Sequence, residues 1–286
     1  MGATLLAILA HPDDESFGPG GTLARYAAEG AAVYYLCATR GESGTVDPAF
    51  LNGYPDVGAL RTAELMCAAH VLNLAEVRFL GYRDSGMNGC HDALPRDALA
   101  CAPTDEVAQR IAVHLAELKP HAVITHDPFG GYGHPDHIAL HRAVLRAYTC
   151  LYGVEWQTLP NGMVRAKHAP VAAPRLYFTT IPKHWFKLGV RLLRLFGQDP
   201  RRFGRNRDID LVRIASWELP VTTRVDVRRY VAVKQHASAC HASQLPLGRQ
   251  SWVARFLFRR AQPVEYFTRA YPPATEGESI ETGLLD

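Results

Sequence analysis

TLLAILAHPDDES, residues 4–16, carries an apolar run directly into a cluster of imidazole and carboxylate groups. The run, Thr4 to Leu9, has the length of a strand and stops at a Pro-Asp turn signal. HPDDE, His11 to Glu15, therefore stands at a strand's carboxyl end, the side on which open α/β sheets bind ligands. The pattern His-Pro-Asp-x returns as HPDH, His134 to His137, after a second apolar run at Ala122 to Thr125. Two such copies behind two strands of one sheet converge on one cleft.

Outward from these motifs, short apolar runs alternate with longer segments of helical period. Further strands are predicted at Ala32 to Ala38 and Val77 to Leu80, and helices at Thr22 to Glu29, Val57 to Leu72, Thr104 to Leu118 and Pro135 to Tyr152. Gly30 stops the first helix, Thr104 with Asp105 and Glu106 opens the third, and Pro135 fits the first turn of the fourth. Strict alternation implies right-handed crossovers and a mostly parallel sheet, so the fold class is doubly wound α/β, Rossmann-like. Past Gly153 the pattern loosens into an irregular C-terminal elaboration, with a strand at Leu176 to Thr180, a helical run at Trp185 to Phe196 and a helix from Val227 to about Ser243. We read residues 1–286 as one domain: residues 1–152 form the core repeats, 153–271 shape the site, and 272–286 make an acidic tail that is flexible or lies along the surface.

With 48% hydrophobic and 21% charged residues, the 286-residue chain has a globular composition. A net charge of +3 is too small to suit a phosphate backbone, so nucleic acid is not an expected partner. The six cysteines (Cys37, Cys67, Cys90, Cys101, Cys150, Cys240) show no CxxC spacing. A chain this long needs no staples, and all six are expected as free thiols. Ala3 to Ala10 follows no basic segment and runs into HPDDE, so it reads as a strand rather than a signal peptide, and nowhere do about 18 apolar residues stand in a row. A cytoplasmic location is expected.

His11, Asp14 and His137 supply two imidazoles and a carboxylate, a donor set that holds a divalent metal and leaves positions open for water and substrate. Zn²⁺ suits the set, and so does Fe²⁺. Either motif alone also describes a capped turn, whereas the pair points to a site. Asp13, beside a ligand but turned elsewhere, is the candidate general base for water, whose pKa zinc lowers to about 7. His134 is the candidate acid or oxyanion stabiliser, with Asp136 orienting its ring. Tyr132, between Gly131 and Gly133, either swings its phenol over the site or sits on the surface of a Gly-rich turn. These roles suit hydrolysis.

AHPDDES at Ala10 to Ser16, TRGE at Thr39 to Glu42, LRTAEL at Leu60 to Leu65, GYRDSGM at Gly81 to Met87 and YGHPDH at Tyr132 to His137 together resemble the LmbE-like or PIG-L family of metal-dependent N-deacetylases. The resemblance covers residues 4–145 closely and extends through HASQ, His241 to Gln244. It implies that an acetyl group is removed from an N-acetylglucosamine conjugate, with metal, base and acid on the residues named above. It further implies that Glu42, Arg61 and Asp84 meet sugar hydroxyls or support the site. Taken singly, Arg61 with Glu64 is a helix-face pair, Asp84 a turn residue and Glu42 a solvated one. GYRDSGM is most similar to the mycothiol and bacillithiol branch, whose substrates are N-acetylglucosaminyl inositol or malate. Conjugate amidases of that branch carry a Lys shortly after HPDDE, where this chain has Gly18, Pro19 and Gly20, so deacetylase is the expectation and conjugate amidase the alternative.

Two rivals belong to other classes. A nucleotide-binding module suits βα repeats, yet the first turn lacks GxGxxG and has Pro19 among its glycines. A catalytically silent sugar-binding protein of the same fold would not need the full set of catalytic residues found here. The expected partner is a small-molecule N-acetylglucosamine conjugate, and assembly into a homo-oligomer is left open. Lys183 to Arg213 holds nine Lys or Arg against three Asp, a local +6, with Trp185, Phe186, Leu188, Leu192, Leu193 and Phe196 interleaved. It reads as a solvated basic face over core contacts, with anionic lipid or an acidic partner as the alternative.

Overall fold

The computed structural model describes residues 2–91, 94–168, 172–180, 182–203, 209–217, 219–245, 263–275 and 277–285, with residues 183–186 through their backbone alone. The chain opens with β1 (Thr4–Leu9), a single helical turn α1 (Asp14–Phe17), α2 (Gly20–Ala28), β2 (Ala32–Cys37), α3 (Val57–Val71) and β3 (Glu76–Phe79). It continues through α4 (Thr104–Leu118), β4 (Ala122–Thr125), α5 (Pro135–Tyr152), a hairpin of β5 (Trp156–Thr158) and β6 (Val164–Ala166), and β7 (Arg175–Thr180). Then follow α6 (Lys183–Leu195), α7 (Leu211–Ile214), β8 (Thr223–Asp226), α8 (Val231–Cys240) and β9 (Val264–Tyr271).

Seven strands form one sheet in the order β3-β2-β1-β4-β7-β9-β8. It is parallel from β3 to β7, and β9 and β8 add an antiparallel edge. The doubly wound α/β class read from the sequence is the one observed. The chain winds outward from β1 to β3 and returns on the other side of β1 as β4, so the crevice at the topological switch point opens between β1 and β4. Leu5, Ala7 and Leu9 pack into one layer with Leu23, Tyr35 and Leu65, whereas Leu6 and Ile8 pack into the other with Ile111, Leu140 and Val144. Burial on both faces explains why β1 reads as an unbroken apolar run rather than an alternating one.

Helix ends follow local chemistry where the partner is close in sequence. The Asp56 carboxylate accepts the Ala59 N–H (2.7 Å) at the start of α3, and Gly153 closes α5 at φ +67°. They depart from it where the partner is remote. Glu265 on β9 accepts the N–H groups of Gly21 (2.9 Å) and Thr22 (2.8 Å), so α2 starts at Gly20 rather than at the predicted Thr22. The predicted helix from Val227 is likewise interrupted. Val227 N–H donates to Pro263 O (2.8 Å) as a continuation of the sheet, and α8 is flanked by 3₁₀ turns at Arg228–Tyr230 and Ala242–Gln244.

Two expectations are corrected. The tail is docked rather than loose: Leu284 is fully buried, its N–H meets Tyr26 Oη (2.5 Å), and Glu281 accepts from Thr223 Oγ1 (2.7 Å), Tyr177 Oη and Arg175. Arg269 clasps both Glu281 and Glu278. Of the acidic residues that made the segment look solvated, Glu278 and Glu281 are bound to the buried Arg269 and Glu281 also to the partly exposed Arg175, while Glu276 and Asp286 lie outside the described residues. The cysteines are not all free either. Cys67 pairs with Cys240 and Cys90 with Cys101, at Cα separations of 5.8 and 5.0 Å, because packing of α8 on α3 and the loop before α4 bring them into bonding range. Cys37 and Cys150 remain thiols. Among the described residues no helix is long and apolar enough to cross a membrane. Arg205 and Arg207 of the basic stretch lie outside them.

Candidate active site

The carboxyl ends of β1 and β4 flank the switch-point crevice, and each is followed by a histidine, His11 after β1 and His126 after β4. α5 begins at Pro135 on the far side of the β4 loop and presents His137 to the same point. His11 Nδ1 lies 3.1 Å from His137 Nε2 and 3.6 Å from Asp14 Oδ2, and the third side of the triangle, His137 Nε2 to Asp14 Oδ2, is 3.4 Å. Bonds of about 2.1 Å to a tetrahedral Zn²⁺ set its ligand atoms about 3.4 Å apart. The three predicted ligands therefore already stand at the edges of such a coordination sphere, with a fourth position open.

The charges behind the triangle also suit a cation. His11 Nε2 faces Asp136 Oδ2 (3.2 Å) and Asp84 Oδ1 (3.6 Å), so Nδ1 is the ring atom turned toward Asp14 and His137. Burial opposes a charge on His11, yet Asp136, Asp14 and Asp84 together hold its pKa well above the usual imidazole range. Burial likewise works against ionised Asp14, and His137 and His126 hold it well below the carboxylate range. His137 itself is kept well below the imidazole range by burial and by its stacked neighbour His126.

Asp13 sits in a conformation few non-glycine residues adopt, φ +121°. One carboxylate and one guanidinium pin it. Glu15 Oε2 accepts the Asp13 N–H (2.9 Å), and Glu15 Oε1 is held by Ser16 Oγ (2.5 Å) and by His241 Nε2 (2.6 Å), a fully buried imidazole from beyond α8. The Asp13 carboxylate in turn accepts from Arg61 Nη2 (2.9 Å), whose other donors go to Gly41 O (2.9 Å) and Pro12 O (2.6 Å). Burial raises Asp13 to about 6, against the pull of Arg61.

His134 caps α5, its Nδ1 accepting the Asp136 N–H (3.2 Å), so the neutral ring carries its proton on Nε2. Burial, with His11 adding to it, brings His134 down to about 4. The Asp136 carboxylate was expected to orient this ring. Its hydrogen bonds run instead to His11 Nε2 and the Ser85 N–H (2.9 Å), because the start of α5 turns the side chain toward β1. Tyr132 stands on the rim, 38% exposed, with its ring edge-on to His137 (5.3 Å) and His134 (5.8 Å). Its loop depends on glycine: a Cβ at Gly130, φ +71°, would lie 2.8 Å from His134 O.

Arg61 was expected on sugar hydroxyls or in support of the site, and both of its Nη groups donate to protein acceptors, while its buried Nε has no hydrogen-bond partner among the described residues. Nor does it pair with Glu64, whose carboxylate takes Ser243 N and Oγ (2.8 Å each) and so fastens the HASQ segment to α3. Asp84 accepts from Gly86 N (2.8 Å); burial opposes its charge, and the His11 hydrogen bond outweighs that, holding it well below the carboxylate range. Half-buried Glu42 accepts the Asp84 N–H (3.1 Å).

Sequence reasoning missed His126, Glu15 and His241. His126 stacks on His137 (3.7 Å, 13°), lies 3.4 Å from Asp14 Oδ2 and accepts the Ala10 N–H (3.0 Å) on the same Nε2. With that lone pair engaged by the Ala10 N–H it stands behind the candidate ligands, although Asp14, His126 and His137 also lie close enough together to hold a metal ion. Its signal was present, since it follows a predicted strand in the same way as His11 does.

A family profile described as "PIG-L: GlcNAc-PI de-N-acetylase" matches residues 6–148, half of the chain. The 1D-myo-inositol 2-acetamido-2-deoxy-alpha-D-glucopyranoside deacetylase of Streptomyces avermitilis is 35% identical over 283 residues, 96% of this chain and 92% of that protein. The chain belongs to the PIG-L family. The Rhodococcus erythropolis deacetylase of the same name is also 35% identical, over 93% of this chain and 90% of its own. Among solved structures, the PIG-L fold here is similar to N,N'-diacetylchitobiose deacetylase from Pyrococcus horikoshii (TM-score 0.59, 20% identity, 93% of this chain and 83% of that one). It is as similar to the 4-carboxy-2-hydroxymuconate hydratase of Pseudomonas putida KT2440 (TM-score 0.56, 19% identity, 97% and 100%). Likeness at that identity establishes the fold alone, and the reaction has to come from the site.

Proposed function

We propose that this PIG-L chain is a metal-dependent amidase that removes the acetyl group from an N-acetylglucosamine conjugate, N-acetylglucosaminyl inositol foremost. The observation that carries the reading is the triangle of His11, Asp14 and His137 with Asp13 and His134 beside it. The substrate class follows from relatives named for deacetylating an inositol glucosaminide. A divalent cation held by the three groups, Zn²⁺ or Fe²⁺, supplies Lewis acidity toward the amide carbonyl and acidifies water.

The remaining chemistry belongs to side chains. Asp13, at about 6, is ionised at neutral pH and takes a proton from the attacking water. Arg61 holds that carboxylate in place, and Glu15 with His241 holds its backbone. His134, neutral with Nε2–H free, donates a hydrogen bond to the carbonyl oxygen as charge develops there. When the C–N bond breaks, Asp13 returns its proton to the departing amine, and acetate and a free glucosamine leave. Tyr132 closes the rim. Of the residues expected on the sugar, Glu42 keeps the solvent access to meet a hydroxyl, while Arg61 and Asp84 support the site.

The test is an amine-release screen with protein purified without oxygen and its metal measured by elemental analysis. N-acetylglucosaminyl inositol should be cleaved faster than N-acetylglucosaminyl malate, diacetylchitobiose or a mycothiol conjugate. Preference for the mycothiol conjugate would make the chain a conjugate amidase. Silence on all four by the metal-loaded protein overturns the reading.

A further inference from the structure

Leu188, Leu192 and Leu195 recur at i, i+4 and i+7 on α6 and so share one stripe. All three are exposed, Leu195 by 77%, and Phe196 at the helix end by 75%. Lys187, Arg191 and Arg194 repeat the same spacing one residue earlier, which sets their row about 100° around the helix from the leucines. They are exposed too. The remaining side, with Val190 and Leu193, packs on Leu211 and Ile214 of α7. The helix thus has three faces: one toward the protein, one cationic, and one apolar and bare. Single exposed leucines are ordinary, whereas a contiguous apolar row beside a cationic row marks a surface that something covers. No Asp or Glu occurs between Lys183 and Gln198.

We infer that α6 docks on the surface of an anionic phospholipid bilayer, with the leucines and Phe196 entering the acyl boundary and Lys187, Arg191 and Arg194 meeting lipid phosphates. Charge complementarity selects this occupant. A helix with Leu and Phe on one face and Lys or Arg on the next lies in the interface plane, and each basic residue near an anionic surface strengthens binding about fivefold. A second copy of the chain would instead bring a like-charged row against this one. The placement also has a consequence for the site. α6 leaves the sheet at the carboxyl end of β7, the end that carries His11 and His126, and its cluster reaches Trp217, which stacks on Phe129 (4.9 Å, 9°) in the loop bearing Tyr132. Docking therefore brings the rim of the crevice close to the bilayer.

Co-sedimentation of the metal-loaded protein with vesicles tests this. Binding to phosphatidylglycerol-rich vesicles is expected, with little to pure phosphatidylcholine and release as salt rises. Replacing Lys187→Gln, Arg191→Gln and Arg194→Gln together should weaken it about 100-fold. Leu192→Ser with Leu195→Ser should abolish it, while thermal stability and turnover of a soluble substrate stay unchanged in both variants. Failure to sediment with the anionic vesicles overturns the proposal, as does unchanged binding by both variants. A dimer in analytical ultracentrifugation that the leucine variant dissociates, without vesicle binding, would assign the face to a second copy and also overturn it.

Discussion

Asp136 distinguishes two accounts of the same motif. If its carboxylate orients His134, Asp136→Asn lowers turnover and leaves metal binding alone. The hydrogen bond to His11 Nε2 predicts the reverse order: metal affinity should fall about 10- to 100-fold, as for other carboxylates behind a ligating imidazole, measured by competition with a chromophoric chelator. Unchanged affinity would return the residue to His134. Asp13→Asn acts on the other side of the triangle. It should keep full metal content and lose about 10²- to 10⁴-fold in kcat, the scale of a missing general base, and intact turnover would remove Asp13 from that role. The candidate ligands were legible because a repeated motif with two donor types at short spacing has few other uses. Glu15 and His241 were not, since they meet each other across 226 positions, whereas His126 follows a predicted strand as His11 does but stands outside the HPD pattern that marked the candidate ligands.

Elements were legible in proportion to how local their causes are. β1, β2, β4 and α3 to α5 follow from apolar period, whereas β8 and β9 take their places through ladders to remote strands and the tail is docked in part by ion pairs of polar residues that in sequence resemble a solvated surface. Leu284 is the apolar anchor of that tail. Leu284→Ala should cost about 2–5 kcal/mol in denaturant unfolding, as for other fully buried leucines, whereas a tail that merely lies on the surface would lose almost nothing. The Arg269 clasp adds a pH signature. Its hydrogen bonds lower Glu278 from 4.5 to about 2, so the folded state binds that proton more weakly than the unfolded chain. The contribution is present above the unfolded value and is lost as pH falls through about 2. The difference in Tm between the native protein and Glu278→Gln should therefore be constant near neutrality and shrink to nothing in acid. A difference that persists at the lowest pH would mean that the carboxylate is not clasped.

At the scale of the molecule, the candidate cation site joins what the topology separates. His11 and Asp14 hang from β1 on one side of the switch point and His137 from α5 beyond β4 on the other. A divalent cation there would offset two of the three negative charges that Asp14, Asp84 and Asp136 place around His11. Binding to the native state alone stabilises by about 2.7 kcal/mol when free metal is 100 times its dissociation constant. Spread over a chain of this size, that is a rise in Tm of roughly 4–5 °C. Differential scanning calorimetry with zinc and then with chelator should show the rise and its reversal. His137→Ala should show neither, because two ligands on one side of the crevice no longer bridge it. A native protein whose unfolding ignores zinc, ferrous iron and chelator alike would mean that the triangle of donors holds no cation, and the assignment of Asp13 and His134 to hydrolysis would lose its electrophile.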